Sequence, residues 1–205
     1  MKQGVLIAFE GIDGTGKSTQ IHLLADYLRA KGFEVVVTRE PTDGPYGRRI
    51  RHLYVNRQSS TPEEELELFV QDRRQHVDEV IAPALAEGKI VLTDRYYYST
   101  AAYQGAAGMD PEAIFAANDF APRPDLVVLL VMDPEESVRR IEQLRGERLN
   151  DFEQIEQLRK VADLFATFSD DCILRVDAAR PIDRVQAEIQ KGIQPLVEHD
   201  HRKKT

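Results

Sequence analysis

Several things are scarce in this sequence, and each absence excludes something. There is one cysteine in 205 residues, so an intrachain disulfide is excluded and a cysteine-based metal cluster is disfavoured. No apolar run approaches the roughly 20 residues that a membrane-spanning helix needs, so no membrane association is expected. No apolar h-region follows Met1-Lys2-Gln3, and a reduced cytoplasm is the expected compartment. Basic charge is not in excess: 27 Lys and Arg stand against 35 Asp and Glu, a formal net charge of −8, with a sequence pI of about 5.2. That argues against nucleic acid or an anionic membrane as a principal partner. A small anionic substrate stays open, because local arginines can override the global sign. His22, His52, His76, His199 and His201 show no metal-ligand spacing near a structured carboxylate. Neither a repeat nor an interdomain linker is visible.

What is present reads as an ordinary globular chain, 42% apolar and 30% charged. Short runs rich in Val, Ile and Leu at 4–10, 34–38, 89–93, 126–132 and 172–177 predict five strands covered on both faces. Cys172 opens the last of these and reads as a buried strand residue. Amphipathic stretches lie between the runs. Gly32 closes the first helix, Gln20 to Arg29. A long helix begins at Thr61-Pro62-Glu63-Glu64, where Thr61 is a good N-cap, Pro62 fits the first position and Glu64 completes a capping box; Gly88 closes it. Asp133-Pro134 starts another helix, and Pro181 or Asp183 starts the last, which runs to about Val197. Strands alternating with helices imply an α/β fold with a parallel sheet and right-handed crossovers. One domain over 1–198 and a polar tail at 199–205 are expected.

Residues 11–18 read Gly-Ile-Asp-Gly-Thr-Gly-Lys-Ser, a complete G-x-x-x-x-G-K-[ST] between an apolar strand and a helix. In that context Gly11, Ile12, Asp13, Gly14, Thr15 and Gly16 offer backbone N–H groups to a phosphate. Lys17 adds a mobile positive charge and Ser18 a hydroxyl for Mg²⁺; Thr19 joins the same ATP-binding set, and the helix that follows turns its positive end to the same point. The expectation is a P-loop that binds ATP with Mg²⁺, in a P-loop NTPase-type three-layer sandwich.

In open α/β sheets ligands sit beyond the carboxyl ends of the strands. Those ends read Thr38-Arg39-Glu40-Pro41, Asp94-Arg95-Tyr96 and Asp177-Ala178-Ala179-Arg180. Asp94 closes an apolar strand where a P-loop enzyme keeps an acid near Mg²⁺ or its waters. Arg39 and Arg95 can grip a second phosphate bidentately. Asp13, inside the loop, would repel a triphosphate unless it faces a metal or a hydroxyl, so it is expected at Mg²⁺ or at an acceptor's sugar. Arg180 is expected on the ATP side. Phe69 and Arg73 are four apart and share a helical face. By spacing alone they read as a core ring and a surface cation; stacked on a base, they would read it instead. The tyrosine-rich stretch from Tyr96 to Tyr103 either packs or walls a nucleoside pocket. Residues 139–160 are dense in charge. They read either as a solvated helical face or, interrupted by Gly146, as a mobile arginine-bearing lid at about 143–153.

With these motifs assembled, the chain resembles the thymidylate kinase family over nearly its whole length. The resemblance rests on Phe-Glu-Gly-Ile-Asp-Gly-Thr-Gly-Lys-Ser at 9–18, Thr-Arg-Glu-Pro at 38–41, Leu-Phe-x-x-Asp-Arg-x-x-His from Leu68 to His76, and Asp-Arg-Tyr-x-x-Ser-Thr-x-Ala-Tyr-Gln-Gly from Asp94 to Gly105. It implies phosphorylation of dTMP to dTDP with Mg-ATP, in dTTP biosynthesis, by a homodimer. It implies that Phe69 stacks on thymine, Arg73 bonds the base carbonyl and Thr100 lies near the base. Arg95, with Arg39, would hold the acceptor phosphate; Tyr103 would sit under the sugar and disfavour a 2′-hydroxyl, while Tyr96 is expected in the pocket from the tyrosine-rich stretch alone. Asp13 would approach the sugar or the metal.

There are two departures. Family members often continue Arg-Glu-Pro with Gly-Gly-Thr; here Thr42-Asp43-Gly44 follows. Members without an arginine in the P-loop usually carry a catalytic one in a lid Asp-Arg-x-Glu; the nearest match here is Asn150-Asp151-Phe152-Glu153, so Arg145 or Arg148 would have to reach instead. A kinase for another nucleotide or deoxynucleoside, and a nucleotide-binding regulator without turnover, are the competing readings. A GTPase switch is disfavoured because Val131-Met132-Asp133-Pro134 stands where a guanine-reading Asn-Lys-x-Asp would be.

Overall fold

The three central apolar runs become strands because their side chains alternate between two buried faces, whereas the runs at the two edges of the sheet are only partly covered, not buried on both faces as expected. In β1 (Val5–Glu10), Leu6 and Ala8 face one cluster while Ile7 and Phe9 face the other. Such two-sided burial explains why the run shows no polar alternation. The computed structural model describes residues 4–56, 60–145 and 154–201, without the side chains of 55, 56, 144, 145 and 199–201. β2 (Val35–Arg39), β3 (Ile90–Asp94), β4 (Leu126–Val131) and β5 (Ile173–Asp177) complete a five-stranded sheet in the order β2-β3-β1-β4-β5. All pairings are parallel. The five expected strands are therefore present, with ends shifted by one residue. Cys172 falls just outside β5 and is half-buried rather than buried.

The helices divide between the two faces. α1 (Lys17–Ala30) and the last helix, α9 (Ile182–His201), cover one face through Ile21, Leu24, Leu28, Val185, Ile189 and Ile193. The other face carries α2 (Pro45–Asn56), α3 (Pro62–His76), α5 (Tyr97–Ala106), α6 (Pro111–Ala117) and α8 (Ile155–Thr167). α7 (Pro134–Arg145) follows β4.

Thr61 caps α3 as its sequence predicts: Thr61 Oγ1 accepts from Glu64 N at 3.2 Å, and Thr61 N donates to Glu64 Oε2 at 2.9 Å. The helix does not run unbroken to Gly88, however. It passes through a π-helical segment, Val77–Ile81, before α4 (Ala82–Ala86). Pro83 has no N–H for the carbonyl four residues back. The ladder slips instead, and Ala82 N donates to Val77 O.

Two features position the site. The strand order reverses around β1, which opens a crevice beyond the carboxyl ends. The register then sets Arg39, Asp94 and Phe9 side by side across β2, β3 and β1.

Candidate active site

The loop between β1 and α1 is shaped by close contact. At Gly11, with φ of 128°, a Cβ would lie 2.4 Å from the Leu130 carbonyl oxygen. Gly16, with φ of 87°, stands at the helix N-cap without a capping side chain. The first-turn N–H groups thus present positive potential to whatever occupies the loop. Ser137 on α7 donates to the Asp13 carbonyl and ties the loop to the neighbouring helix. Lys17 folds over the loop, its Nζ donating to Gly11 O at 3.1 Å and Ile12 O at 2.9 Å. Burial, assisted by the nearby Arg95 charge, pulls its ammonium down to about 8. Ser18 Oγ donates to Asp94 Oδ2 at 2.8 Å. A hydroxyl and a carboxylate side by side form an oxygen-only donor pair, suited to a hard divalent cation that keeps most of its waters.

Asp13 does not join that pair. Its carboxylate accepts from Arg95 Nη2 at 2.7 Å and from Tyr103 OH at 2.8 Å. Burial opposes its charge, but Arg95 and Lys17 outweigh burial and hold the carboxyl down to about 2. Arg95 follows β3 with φ of 70°, in the left-handed region, and its guanidinium also donates to Ser99 Oγ at 2.9 Å and Gly11 O at 3.3 Å. Behind it lies Glu10, 0% exposed. Glu10 accepts from Tyr96 N at 2.9 Å and from the Ser99 hydroxyl. Burial pushes its carboxyl up to about 7 despite the Ser99 hydrogen bond and the Arg95 charge.

A second node surrounds Arg73, which is 1% exposed. Its Nε and Nη2 donate to Glu40 Oε2 at 2.9 and 2.6 Å, Nη1 to Asn118 Oδ1 at 2.6 Å, and Nη2 to Thr100 Oγ1 at 3.0 Å. These contacts use four of the five guanidinium N–H groups. The fifth, on Nη1, is not engaged by these partners. Glu40 Oε1 lies 3.0 Å from His76 Nδ1, and His76 Nε2 lies 2.7 Å from Thr38 Oγ1. Burial would raise the Glu40 carboxyl, but Arg73 and His76 hold it below its ordinary value. Phe69, one turn before Arg73, is half-buried at the edge of the core.

Lys17, Asp13, Arg95 and Tyr103 are thus brought together, Ser18 meets Asp94, and Thr100 touches Arg73. Tyr96 is not brought to a surface: its side chain is 0% exposed and its ring lies 5.3 Å from the Arg73 guanidinium. It supports Arg73 from beneath. Arg39 and Asp43 share a cleft of about 570 Å³ with Ser18 and Asp94. Arg180 pairs with Glu188 on α9. Arg148 lies outside the described residues, as does most of the expected lid at 143–153; of Arg145 only the backbone, at the end of α7, is described.

Glu10, Ser99 and Asn118 carry no role in the sequence reading. Glu10 was visible as a charge ending an apolar run just before the P-loop, and Ser99 as the i+4 neighbour of Arg95. Asn118 gives no local signal.

A family model described as thymidylate kinase matches residues 9–189. A thymidylate kinase of Desulfotalea psychrophila is 54% identical over 194 residues, covering 95% of this chain and 96% of that protein. A thymidylate kinase of Akkermansia muciniphila is 49% identical over 193 residues, covering 94% and 92%. A probable thymidylate kinase of Archaeoglobus fulgidus is 42% identical over 194 residues, covering 94% and 96%. Among the described residues no helix is long and apolar enough to cross a membrane.

Proposed function

The chain belongs to the thymidylate kinase family, and on that premise we propose a division of labour among its residues. It is a nucleoside monophosphate kinase that phosphorylates dTMP at the expense of ATP, a step in nucleotide biosynthesis.

ATP's β- and γ-phosphates take the N–H groups from Gly11 to Thr19 and the Lys17 ammonium, with Arg180 at the edge of the ATP site. Ser18 and Asp94 hold Mg²⁺, which neutralises charge on the phosphates when bound. The dTMP phosphate sits between Arg95 and Arg39. Its base stacks on Phe69 and accepts the remaining Arg73 N–H, beside Thr100. Its sugar lies over Tyr103 and Asp13, where a 2′-hydroxyl would crowd the ring. Tyr96 contributes by fixing Arg73. The acceptor phosphate is largely a dianion at neutral pH, its second pKa being about 6, so it attacks without a protein base. Catalysis consists of holding two phosphates in line and neutralising the charge between them. Arg145 and Arg148 remain the candidates for an arginine that closes over the transferred group. A homodimer is the expected assembly, read out as twice the 23.3 kDa chain mass by light scattering.

One observation carries this reading. Lys17 and Arg95 both donate to the same carbonyl oxygen, that of Gly11. A cation for the donor phosphates and a cation for the acceptor therefore converge on one point. The test is a coupled ADP-release assay across nucleoside monophosphates. Turnover fastest with dTMP is expected; good turnover with another acceptor and none with dTMP would overturn it.

A further inference from the structure

The loop after β2 puts a carboxylate where the acceptor's phosphate is expected. Arg39 Nη2 donates to both oxygens of Asp43, at 2.9 and 3.2 Å. Arg51 Nη2, from α2, donates to the same Oδ1 at 3.1 Å. The placement of Asp43 is built rather than incidental. Thr42 on one side is held twice by Asp72: Thr42 N donates to Oδ2 at 2.8 Å and Thr42 Oγ1 to Oδ1 at 2.6 Å. Gly44 N on the other side donates to Thr42 Oγ1 at 3.0 Å. Arg48 Nη1 donates to the Asp43 carbonyl at 2.7 Å, and Arg51 Nη1 to the Pro41 carbonyl at 3.1 Å. α2 closes tightly on this loop, since a Cβ on Gly47 would lie 1.9 Å from Thr42 O. The backbone thus fixes Asp43 in the cleft that also holds Ser18 and Asp94.

We propose that Asp43 is an internal competitor for the acceptor's phosphate: it occupies Arg39 until dTMP displaces it, and so sets acceptor affinity. This rests on the reading of Arg39 as a phosphate-gripping residue. The Asp43 and Arg39 side chains are 77% and 64% exposed. An ion pair that exposed is weak and exchangeable. A phosphate dianion brings twice the charge and can engage a guanidinium through two oxygens, so it takes the arginine. The carboxylate it displaces cannot move far, because Thr42 and Gly44 anchor the loop, and its charge repels the newcomer. The opposing possibility is that Asp43 aligns Arg39 for phosphate. The two differ in sign: losing a competitor tightens dTMP binding, whereas losing an aligner weakens it.

The experiment is calorimetric binding of dTMP, thymidine and ATP to the full chain and to Asp43→Asn, Arg39→Ala and the double variant. Asp43→Asn is expected to bind dTMP about 2- to 5-fold more tightly, the scale of an exposed ion pair. Thymidine, lacking the phosphate, and ATP should be unchanged. The gain should shrink in the Arg39→Ala background. Unchanged or weaker dTMP binding by Asp43→Asn, or equal tightening of thymidine, overturns the proposal. Arg39→Ala separates the two levels. If it weakens dTMP but Asp43→Asn does not tighten it, the competitor falls and the site reading stands. If Arg39→Ala leaves dTMP binding unchanged, the reading of Arg39 falls and the competitor with it.

Discussion

Glu10 shows how one residue can carry a pH signature for the whole molecule. Its carboxyl titrates at about 7 in the fold against 4.5 ordinarily. Between those values the folded chain holds a proton that the unfolded chain has released. Stability therefore falls as pH rises through this window, by about 3 kcal/mol. Glu10→Gln should abolish that decline; urea midpoints at pH 5 and pH 8 would differ far less than in the parent. Asp13 works in another window, since its lowered value of about 2 costs stability only as pH falls below about 4. Lys17 makes a kinetic prediction. Its ammonium is lost above about 8 in the free enzyme, so kcat/KM for ATP should fall through a single ionisation there. A pH–rate profile flat to pH 9 would contradict the role given to Lys17. Phe69 and Arg73 differ in kind despite sharing a face. Phe69→Ala removes a half-buried ring and should raise KM for dTMP by about 10-fold, as loss of base stacking does. Arg73→Ala strands the buried Glu40 carboxylate and should cost about 3–5 kcal/mol of stability in urea denaturation.

At the scale of elements, what the sequence revealed was what it encodes locally. The strands were legible as apolar runs, and the loop at 11–18 as a contiguous string. The start of α3 was legible because Thr61, Pro62 and Glu64 lie within four residues. Thr61→Ala should cost about 1 kcal/mol through loss of that cap, measured by urea denaturation, with turnover at saturating substrate unchanged. Other elements were not legible for physical reasons. α2 begins Pro45-Tyr46-Gly47-Arg48-Arg49, and the opening proline and interior glycine read as a turn by propensity, although Tyr46, Ile50, Leu53 and Tyr54 recur at helical spacing. α5 carries no charged residue and is buried from Tyr98 to Gln104, its Ser99, Thr100 and Gln104 making internal hydrogen bonds, so it lacks the solvated polar stripe that betrays an amphipathic helix. The π-helical slip before α4 follows from Pro83, a breaker that reads in sequence only as a possible kink.

At the scale of the molecule, the acceptor side was the least legible part, because it is assembled from distant segments. Arg73 is held by Glu40 after β2, Thr100 in α5 and Asn118 after α6. No spacing rule links positions 33, 27 and 45 residues away; only the tertiary fold does, by packing α3, α5 and the end of α6 against the loop after β2. Spacing alone therefore left Phe69 and Arg73 as an ordinary core-and-surface pair, and the family resemblance was needed to read them otherwise. The same convergence makes binding a whole-molecule event. dTMP at 100 times its Kd should stabilise the fold by about 2.7 kcal/mol and raise Tm accordingly, while a purine monophosphate at that concentration should not.

The central claim is that Lys17 and Arg95, which meet at the Gly11 carbonyl, draw two phosphates together while Phe69 and Arg73 present a thymine. A crystal structure of the chain with a bisubstrate analogue joining ATP's phosphates to thymidine tests it most directly. The account predicts thymine stacked on Phe69 with an Arg73 N–H on its carbonyl, and the linked phosphates spanning Lys17 and Arg95. Thymine bound elsewhere, with Phe69 turned into the core, would contradict it.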